Sequence, residues 1–174
     1  RIKWCDYRSY REYYTASDGV VYGEYSVGDV LVFVTDNKGY IKEDTIIHAL
    51  DADNFEADVM VIDKGSSTHQ TELYKGLLVG ADLDGTTQAF DLALTDNVNE
   101  CLEADVYAGR AATSAKFFVY DPEAKGSEKI AQQESFDLTS LASYNETVET
   151  GTPEAAKLFV YEYYGSVRAV IIVK

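Results

Sequence analysis

The sequence KFFVYD at residues 116–121 returns as KLFVYE at residues 157–162, and EADV at residues 56–59 returns at residues 103–106. A third run of the first kind, VLVFVTD, occupies residues 30–36. The copies are unequally spaced, which argues against a solenoid of fixed period and indicates a small set of strand and hairpin types reused in related modules. Reuse of this kind usually builds surfaces and seldom builds active sites.

The order of strand and turn signals predicts an all-β fold. The apolar run at residues 30–35 is followed by the turn sequence DNKG at residues 36–39, and residues 88–94 alternate with the period of two that a strand requires. Many short strands with frequent turns are typical of sandwiches and barrels. A turn is predicted at residues 82–85 and a strand at residues 101–108. The clearest helical turn is predicted at residues 137–144, with Asp137 as its N-cap.

The expected organisation is two related small β domains of barrel or sandwich type, with short helical turns. Residues 18–66 are predicted to form the first domain and residues 67–174 the second. The sequence KGSST at residues 64–68 is the best linker candidate, because Gly and Ser favour a flexible connection. Residues 1–17 stand apart as an aromatic and basic N-terminal arm or an edge strand.

Charge limits the classes of partner. Of the 174 residues, 15 are Lys or Arg and 30 are Asp or Glu, so the net charge is −15. Nucleic acid is not an expected partner, because affinity for a phosphate backbone depends on clustered Lys and Arg. Membrane insertion is not expected either, since the apolar run at residues 170–173 is far shorter than the roughly 20 residues that span a bilayer. An acidic surface instead favours solubility, divalent cations or basic partners.

Residues 1–17 form the one locally basic stretch of this acidic chain. One interpretation is a strand or short helix whose aromatic side chains pack in a core. The other is a docking arm for an acidic neighbour such as a second copy of the chain, because aromatic anchors flanked by Arg are typical of interface hot spots. The candidate interface residues are Trp4, Tyr7, Arg8, Tyr10, Arg11, Tyr13 and Tyr14.

The chain has two cysteines, Cys5 and Cys101, and three arrangements are open to them. A disulfide between them would close a long loop and restrict the unfolded chain by roughly 4 kcal/mol, if the chain is exported. Both could instead be free thiols, or a bond could join neighbouring molecules. Two cysteines this far apart do not predict a zinc site, which needs clustered ligands.

Two groups of carboxylates are candidates for Ca²⁺, which is the one cofactor that the sequence suggests. Asp51, Asp53 and Glu56 form the first group, and Asp82 and Asp84 form the second. Hard cations need several clustered oxygens, but neither group has the ligand spacing of an EF-hand loop. Solvated turns are the favoured explanation of both groups, because Asp is common in turns.

No catalytic constellation stands out. The two histidines, His48 and His69, are the only imidazole bases. His69 follows two serines and a threonine, but a nucleophile must meet its base and an orienting acid in space, and sequence adjacency does not provide this. An enzyme is therefore not expected.

The sequences of several strand and hairpin segments resemble those of one protein family. Residues 27–41 look like the VGDVV-x-F-x-x-D-x-x-G-x-I hairpin of the non-anchoring regions of S-layer-homology surface proteins from Gram-positive bacteria. Residues 157–174 resemble the V-x-x-Y-x-x-G-x-V-x-A-V-V-V endings of the same proteins, and residues 113–121 followed by the turn at 138–141 match their usual order. The resemblance implies an exported structural or interaction role with no catalytic residues to carry over.

These features together predict an exported structural protein of a cell-surface layer or an extracellular filament. It would associate with copies of itself or with other surface-protein domains, through β edges and tyrosine-rich contacts. The first residue, Arg1, fits a processed product or a fragment of a longer chain. The alternative is an adhesin or carbohydrate-binding β module, in which exposed aromatic rings stack on sugars.

Overall fold

The computed structural model describes residues 2–5, 10–15, 30–33, 35–42, 47–50, 62–63 and 71–174. The chain forms two compact units, Arg1–Phe55 with Pro122–Lys129, and Glu56–Asp121 with Ile130–Lys174. The prediction of an all-β fold is confirmed. The domain boundaries after residues 17 and 66 stay predictions, as does the barrel or sandwich organisation of each domain.

The described residues of the first unit include five short strands: β1 (Ile2–Cys5), β2 (Tyr10–Thr15), β3 (Val30–Val32), β4 (Tyr40–Ile41) and β5 (Ile47–Leu50). Strand β2 pairs antiparallel with β1 and parallel with β4, while β3 pairs antiparallel with β5. The 3-10 turn Gly126–Lys129 belongs to the same unit. The two halves of the basic, aromatic N-terminal stretch are therefore neighbouring strands.

The turn predicted at residues 36–39 is confirmed. A carboxylate oxygen of Asp36 accepts hydrogen bonds from the backbone N–H groups of Lys38 (2.8 Å) and Tyr40 (2.9 Å), and Gly39 adopts the left-handed conformation at φ 87°. The N–H of Tyr40 is the main group that lowers the pKa of Asp36, because hydrogen bonds to the ionised form favour it. A short polar side chain and a glycine thus close this turn locally.

The described strands of the second unit form one sheet: β6 (Ile62–Asp63), β7 (Thr71–Asp84), β8 (Thr87–Ala93), β9 (Val106–Ala111), β10 (Lys116–Tyr120), β11 (Ile130–Gln133), β12 (Lys157–Tyr163) and β13 (Ser166–Val173). Seven strands follow the order β11-β10-β13-β12-β7-β8-β9, and β6 pairs with the start of β7. All pairs are antiparallel except β10 with β13. Strands that are neighbours in this sheet are therefore often distant in the sequence.

The long strand β7 bends where it passes from one half of this sheet to the other. Its first half pairs with β12 and its second half with β8, and the register with β8 shifts by one residue at Val79. A β-bulge of this kind sharpens the local twist. At Gly76 the carbonyl of Ala93 lies so close that a Cβ on residue 76 would overlap with it. Glycine at this position therefore permits the close approach of β8.

The curled sheet encloses one apolar core on its inner face. The alternation predicted for residues 88–94 is confirmed, since Phe90 and Leu92 are buried there and Gln88 faces the same side. The side-chain amide of Gln88 donates to the carbonyl of Phe136 (2.7 Å), and its oxygen accepts from the N–H of Leu138 (2.6 Å). The core contains Leu78, Phe90, Leu92, Ala111, Ala115, Phe117, Leu138, Leu158, Val160, Val167, Val170 and Ile172.

The two copies of the repeated strand lie on either side of β13. Strand β10 runs parallel to β13 and β12 runs antiparallel to it, so that Ile171 has Phe118 on one side and Phe159 on the other. These three side chains are buried, although they face away from the inner core. Burial on both faces explains why the repeat is a continuous apolar run instead of an alternating one.

A smaller core packs on the outer side of β7 and β8. It joins Leu77, Ala93, Cys101 and Tyr144, which lies in the short helix α1 (Tyr144–Thr147). Cys101 is a free thiol and only 3% exposed, so the disulfide with Cys5 is not formed. Burial raises the pKa of this thiol, as expected for desolvation of the charged form.

The helical turns differ in detail from the prediction. Asp137 caps the 3-10 turn Leu138–Ser140 as predicted, with its carboxylate accepting from the N–H of Thr139 (2.9 Å), but Tyr144 belongs to the separate helix α1. Two further 3-10 turns are Val98–Glu100 and Val148–Thr150. Among the described residues, no helix is long and apolar enough to span a membrane.

One strand boundary and one turn position were predicted wrongly. The strand predicted at residues 101–108 begins at Val106, because the N–H groups of Glu103 and Ala104 donate to the carbonyl of Glu100 and turn the chain. The hairpin turn predicted at residues 82–85 lies two residues later, at Gly85 and Thr86. The EADV copy at residues 103–106 is consequently a turn leading into β9.

The close approach at Gly76 provides a direct test of the curled sheet. We expect Gly76→Ala to lower the free energy of unfolding by about 1–3 kcal/mol or more, because the added methyl group must displace backbone. The matched control is Gly80→Ala on the same strand, where a Cβ would meet only the side-chain nitrogen of Asn145 at 3.4 Å. Urea unfolding of both variants measures the difference. Equal stability of the two variants would contradict the close packing of β7 and β8.

Candidate functional site

Two tyrosine–glutamate pairs lie at one end of the curled sheet. The rings of Tyr74 on β7 and Tyr107 on β9 stack, with their centroids 3.8 Å apart and their planes 14° from parallel. Tyr107 donates its phenol O–H to Glu162, and Tyr74 donates to Glu72. We call Tyr74, Tyr107, Glu72 and Glu162 the tyrosine–glutamate cluster.

The two carboxylates of the cluster face one another across neighbouring strands. Glu162 on β12 is directly opposite Glu72 on β7, an arrangement in which like charges repel. The phenol groups of Tyr107 and Tyr74 offset this repulsion by donating a hydrogen bond to each carboxylate. Burial, reinforced by the hydrogen bond to Glu162, raises the pKa of Tyr107, so its phenol stays protonated and remains a donor.

The tip of the β12–β13 hairpin extends this surface with further aromatic and cationic groups. Tyr164 and Gly165 both have positive φ, 51° and 71°, as a two-residue hairpin turn of type I′ requires. The side chain of Tyr164 is 51% exposed, and its ring meets the ring of Tyr163 edge to face at 4.5 Å. Arg168 is the extra residue of a β-bulge in β13, and its guanidinium carbon lies 5.9 Å from the Tyr163 ring centre.

This arrangement combines flat aromatic rings with hydrogen-bond acceptors and a cation. Rings that present a face, together with carboxylates a few ångströms away, are the groups that bind polyhydroxylated ligands or the side chains of a protein partner. The aromatic residue in the left-handed conformation at Tyr164 is also notable, because Asn or Gly fits this position with less strain. The hairpin tip therefore presents a tyrosine at a conformational cost.

A second surface is the open edge formed by β9. Strand β9 ends the sheet, and in the described residues it pairs only with β8. The N–H of Leu94 donates to the carbonyl of Asp105 (2.8 Å), so by antiparallel alternation the backbone groups of Val106, Ala108 and Arg110 point away from β8. Exposed apolar side chains accompany this edge, since Val106 is 55% exposed and Leu102 is 76% exposed.

The surroundings of this edge are acidic. Residues 76–109 contain seven Asp or Glu residues and no Lys, Arg or His. Four of the acidic residues that lie on the turns just before β9 are exposed, namely Asp96, Glu100, Glu103 and Asp105. Farther along the strand, Arg110 forms an exposed ion pair with Asp84 at 2.7 Å. We call the surface made by Glu103, Asp105, Leu102, Val106 and the outward backbone of β9 the acidic edge.

The structure places the residues of the predicted docking arm only in part. Trp4 lies on β1, and Tyr10, Arg11, Tyr13 and Tyr14 lie on β2. The backbone of these residues is therefore β-strand, while packing of their aromatic side chains in a core stays a prediction. Tyr7 and Arg8 lie outside the described residues. Use of the stretch as an interface stays a prediction.

The calcium candidates separate into two cases. Asp51, Asp53 and Glu56 lie outside the described residues. Asp82 and Asp84 are exposed residues of β7, opposite Ala89 and Thr87 in the β8 ladder, rather than residues of a loop. Within the described part of the chain, no three Asp, Glu, His or Cys side chains are close enough together to hold a metal ion.

Sequence reasoning missed the tyrosine–glutamate cluster. Glu72 and Tyr74 lie 33 or more residues from Tyr107 and a long way from Glu162, so no local pattern links them. One signal was available: Tyr107, Gly109 and Ala111 continue the inward alternation of β9, which identifies an aromatic ring at the end of an inner face. Pairing that ring with Tyr74 needs the curl of the sheet.

Comparisons with protein-family models, with curated proteins and with solved structures find no match to this chain. The resemblance to the S-layer-homology surface proteins thus stays a prediction drawn from the hairpin sequences.

The hydrogen bond between Tyr107 and Glu162 predicts a specific pH dependence. We expect Tyr107→Phe to lower the free energy of unfolding at pH 7 by about 1–2 kcal/mol, because the ring stays stacked while Glu162 loses a donor. Since the folded pKa of Tyr107 is raised, the stabilisation is complete below the unfolded tyrosine pKa of about 10 and declines as the pH rises above it. Urea unfolding should show that the difference in free energy of unfolding between wild type and variant is smaller at pH 10.5 than at pH 7.

The control for this measurement is Tyr164→Phe, which removes a phenol group from the exposed hairpin tip. It should leave the stability at pH 7 nearly unchanged. A Tyr107→Phe variant as stable as the wild type at pH 7 would contradict the role assigned to the hydrogen bond.

Proposed function

We propose that this protein is an exported structural component of a cell-surface layer or an extracellular filament, which associates with copies of itself through strand edges and tyrosine-rich contacts. The observation that carries the proposal is the acidic edge. An open strand of six residues with exposed Val106 and Leu102 beside it is a template for pairing with another chain.

The edge lacks several devices that usually keep a sheet from pairing with a neighbour. Strand β9 contains no proline and no bulge in its register with β8, and its single charged residue is Arg110. Near its middle, Ala108 is small and exposed. A strand with these features favours pairing with another chain.

Charge and aromatic content support the same role. A net charge of −15 keeps the free chain soluble and makes association depend on ionic strength or on a basic contact. Tyrosine, of which the chain has 14, supplies large contact area at a low cost in side-chain entropy and is enriched at interfaces. The exposed Tyr164 at the hairpin tip is one residue in position for such a contact.

Self-association is the first property to measure. Negative-stain electron microscopy and size-exclusion light scattering of the full chain should reveal filaments, sheets or discrete oligomers, and these should weaken as salt screens the charges. Adding reductant tests whether a disulfide through Cys5 joins subunits, and adding a chelator tests a role for Ca²⁺. A monodisperse monomer under every condition would overturn the proposal.

The alternative function is an adhesin or carbohydrate-binding β module. The specific observation in its favour is the tyrosine–glutamate cluster with Tyr163, Tyr164 and Arg168 beside it, which offers stacking faces, acceptors and a donor on one end of the sheet. Stacking on a sugar would also account for a tyrosine at the left-handed position 164.

A glycan array tests the alternative directly. For any glycan that binds, Tyr164→Ala should weaken the affinity about tenfold, which corresponds to the loss of roughly 1.4 kcal/mol. Tyr40→Ala removes another exposed tyrosine, in the first unit, and should have no effect. An array without signal, or equal loss in both variants, would exclude this surface as the glycan site.

A further inference from the structure

We propose that strand β1 of a second copy of this chain adds to the acidic edge, pairing with β9 by strand addition. The inference rests on the proposed self-association and names the two surfaces that meet. It requires an open acceptor strand, an open donor strand and matching charge. The described residues provide the two strands, and the sequence provides the charge.

The acceptor is β9, whose outward backbone groups lie at alternate positions. Val106, Ala108 and Arg110 direct their N–H and C=O groups away from β8, and no hydrogen bond within the described residues uses them. A strand arriving here would gain a ladder of backbone hydrogen bonds and cover Val106.

The donor is β1, which also ends its sheet. The order β1-β2-β4 leaves β1 with one neighbour, so its other edge is open within the described part of the first unit. Four residues, Ile2–Cys5, are enough for two pairs of ladder hydrogen bonds. Strand β1 is too short to form a stable contact by backbone pairing alone, and charge must contribute.

Charge complementarity selects β1 as the occupant. Residues 1–11 contain four basic residues, Arg1, Lys3, Arg8 and Arg11, against the single acidic residue Asp6. The acidic edge carries Glu103 and Asp105 beside β9, and no basic residue lies between positions 75 and 110. The most basic stretch of the chain thus matches the longest stretch without a basic residue. Complementary charges of this kind speed encounter and fix the register.

The two surfaces differ, so the contact is heterologous. A heterologous contact leaves the β1 of one end copy and the β9 of the other end copy open, and it continues into a ring or a filament instead of stopping at a dimer. Assembly by this contact should therefore produce a distribution of sizes that grows with protein concentration.

The first experiment removes one backbone N–H group that points outward from β9 and leaves the charge of the edge unchanged. Ala108→Pro deletes an N–H that points away from β8, a position at which an edge strand tolerates proline. Ala108→Thr keeps the N–H and serves as the matched control. We expect the apparent association constant from concentration-dependent light scattering to fall about tenfold or more for the proline variant and to stay within about threefold for the threonine variant. Equal association in the two variants would overturn the proposal.

The second experiment exchanges the charges and does not depend on how proline affects folding. Arg1→Glu with Lys3→Glu should weaken association about tenfold or more, as should Glu103→Lys with Asp105→Lys, because both surfaces would then carry charge of the same sign. A chain that carries all four substitutions should recover association. Control pairs of exposed residues are Lys38→Glu with Lys125→Glu, and Glu146→Lys with Glu149→Lys, which change net charge equally elsewhere.

The outcomes separate this inference from the proposed function. Loss in each double variant and recovery in the fourfold variant support pairing of β1 with β9. Assembly that continues unchanged in the charge-reversed variants overturns the pairing and leaves self-association standing. A wild-type chain that is monomeric at every concentration overturns both. If the double variants lose no more association than the control pairs, and the fourfold variant does not recover it, the effect belongs to net charge and the pairing is overturned.

Discussion

The bend of β7 is the constraint on which the second unit depends. Fourteen residues of one strand must pair with β12 at one end and with β8 at the other, and the two halves must face each other across a single core. Glycine at position 76 lets the Ala93 carbonyl approach the strand, and the bulge at Val79 shifts the alternation by one residue. Leu78 and Ala81 consequently both face the core, although they are three residues apart.

The same curl creates the surfaces with functional potential. Bringing β9 back across the core stacks Tyr107 on Tyr74 and lets it reach Glu162 on β12. It also makes β9 a terminal strand, with its outer backbone open and with Leu102 and Val106 exposed beside it. The tyrosine–glutamate cluster and the acidic edge therefore both depend on the position of β9.

The repeated sequences find their explanation in β13. A central strand needs a neighbour on each side, and the chain supplies two versions of one apolar strand, β10 and β12, in opposite orientations. Phe118 and Phe159 occupy equivalent places beside Ile171. The two copies of the repeated sequence therefore pair with both edges of β13, and their apolar side chains help to bury both of its faces. It does not mark a repeated domain within the described sheet.

Local chemistry determined what could be predicted from the sequence: the all-β class, the turn at Asp36 and Gly39, the cap at Asp137 and the inward alternation of residues 88–94. Each depends on neighbours a few residues apart, through φ preference, side-chain-to-backbone hydrogen bonds or the period of two. The error at residues 101–108 has a physical reason, since an apolar Cys101 in a turn is buried by Tyr144, a residue distant in sequence.

Tertiary structure alone decided which strands pair, which thiol is buried, and where Tyr107 meets Glu162. Strand order is set by the long-range fit of side chains across the core, and the sequence of one strand does not specify its neighbour. Composition determined that this chain is acidic and rich in tyrosine. Only the curl of β7 determined that one acidic stretch borders an open strand edge, because exposure of an edge is a property of the whole sheet.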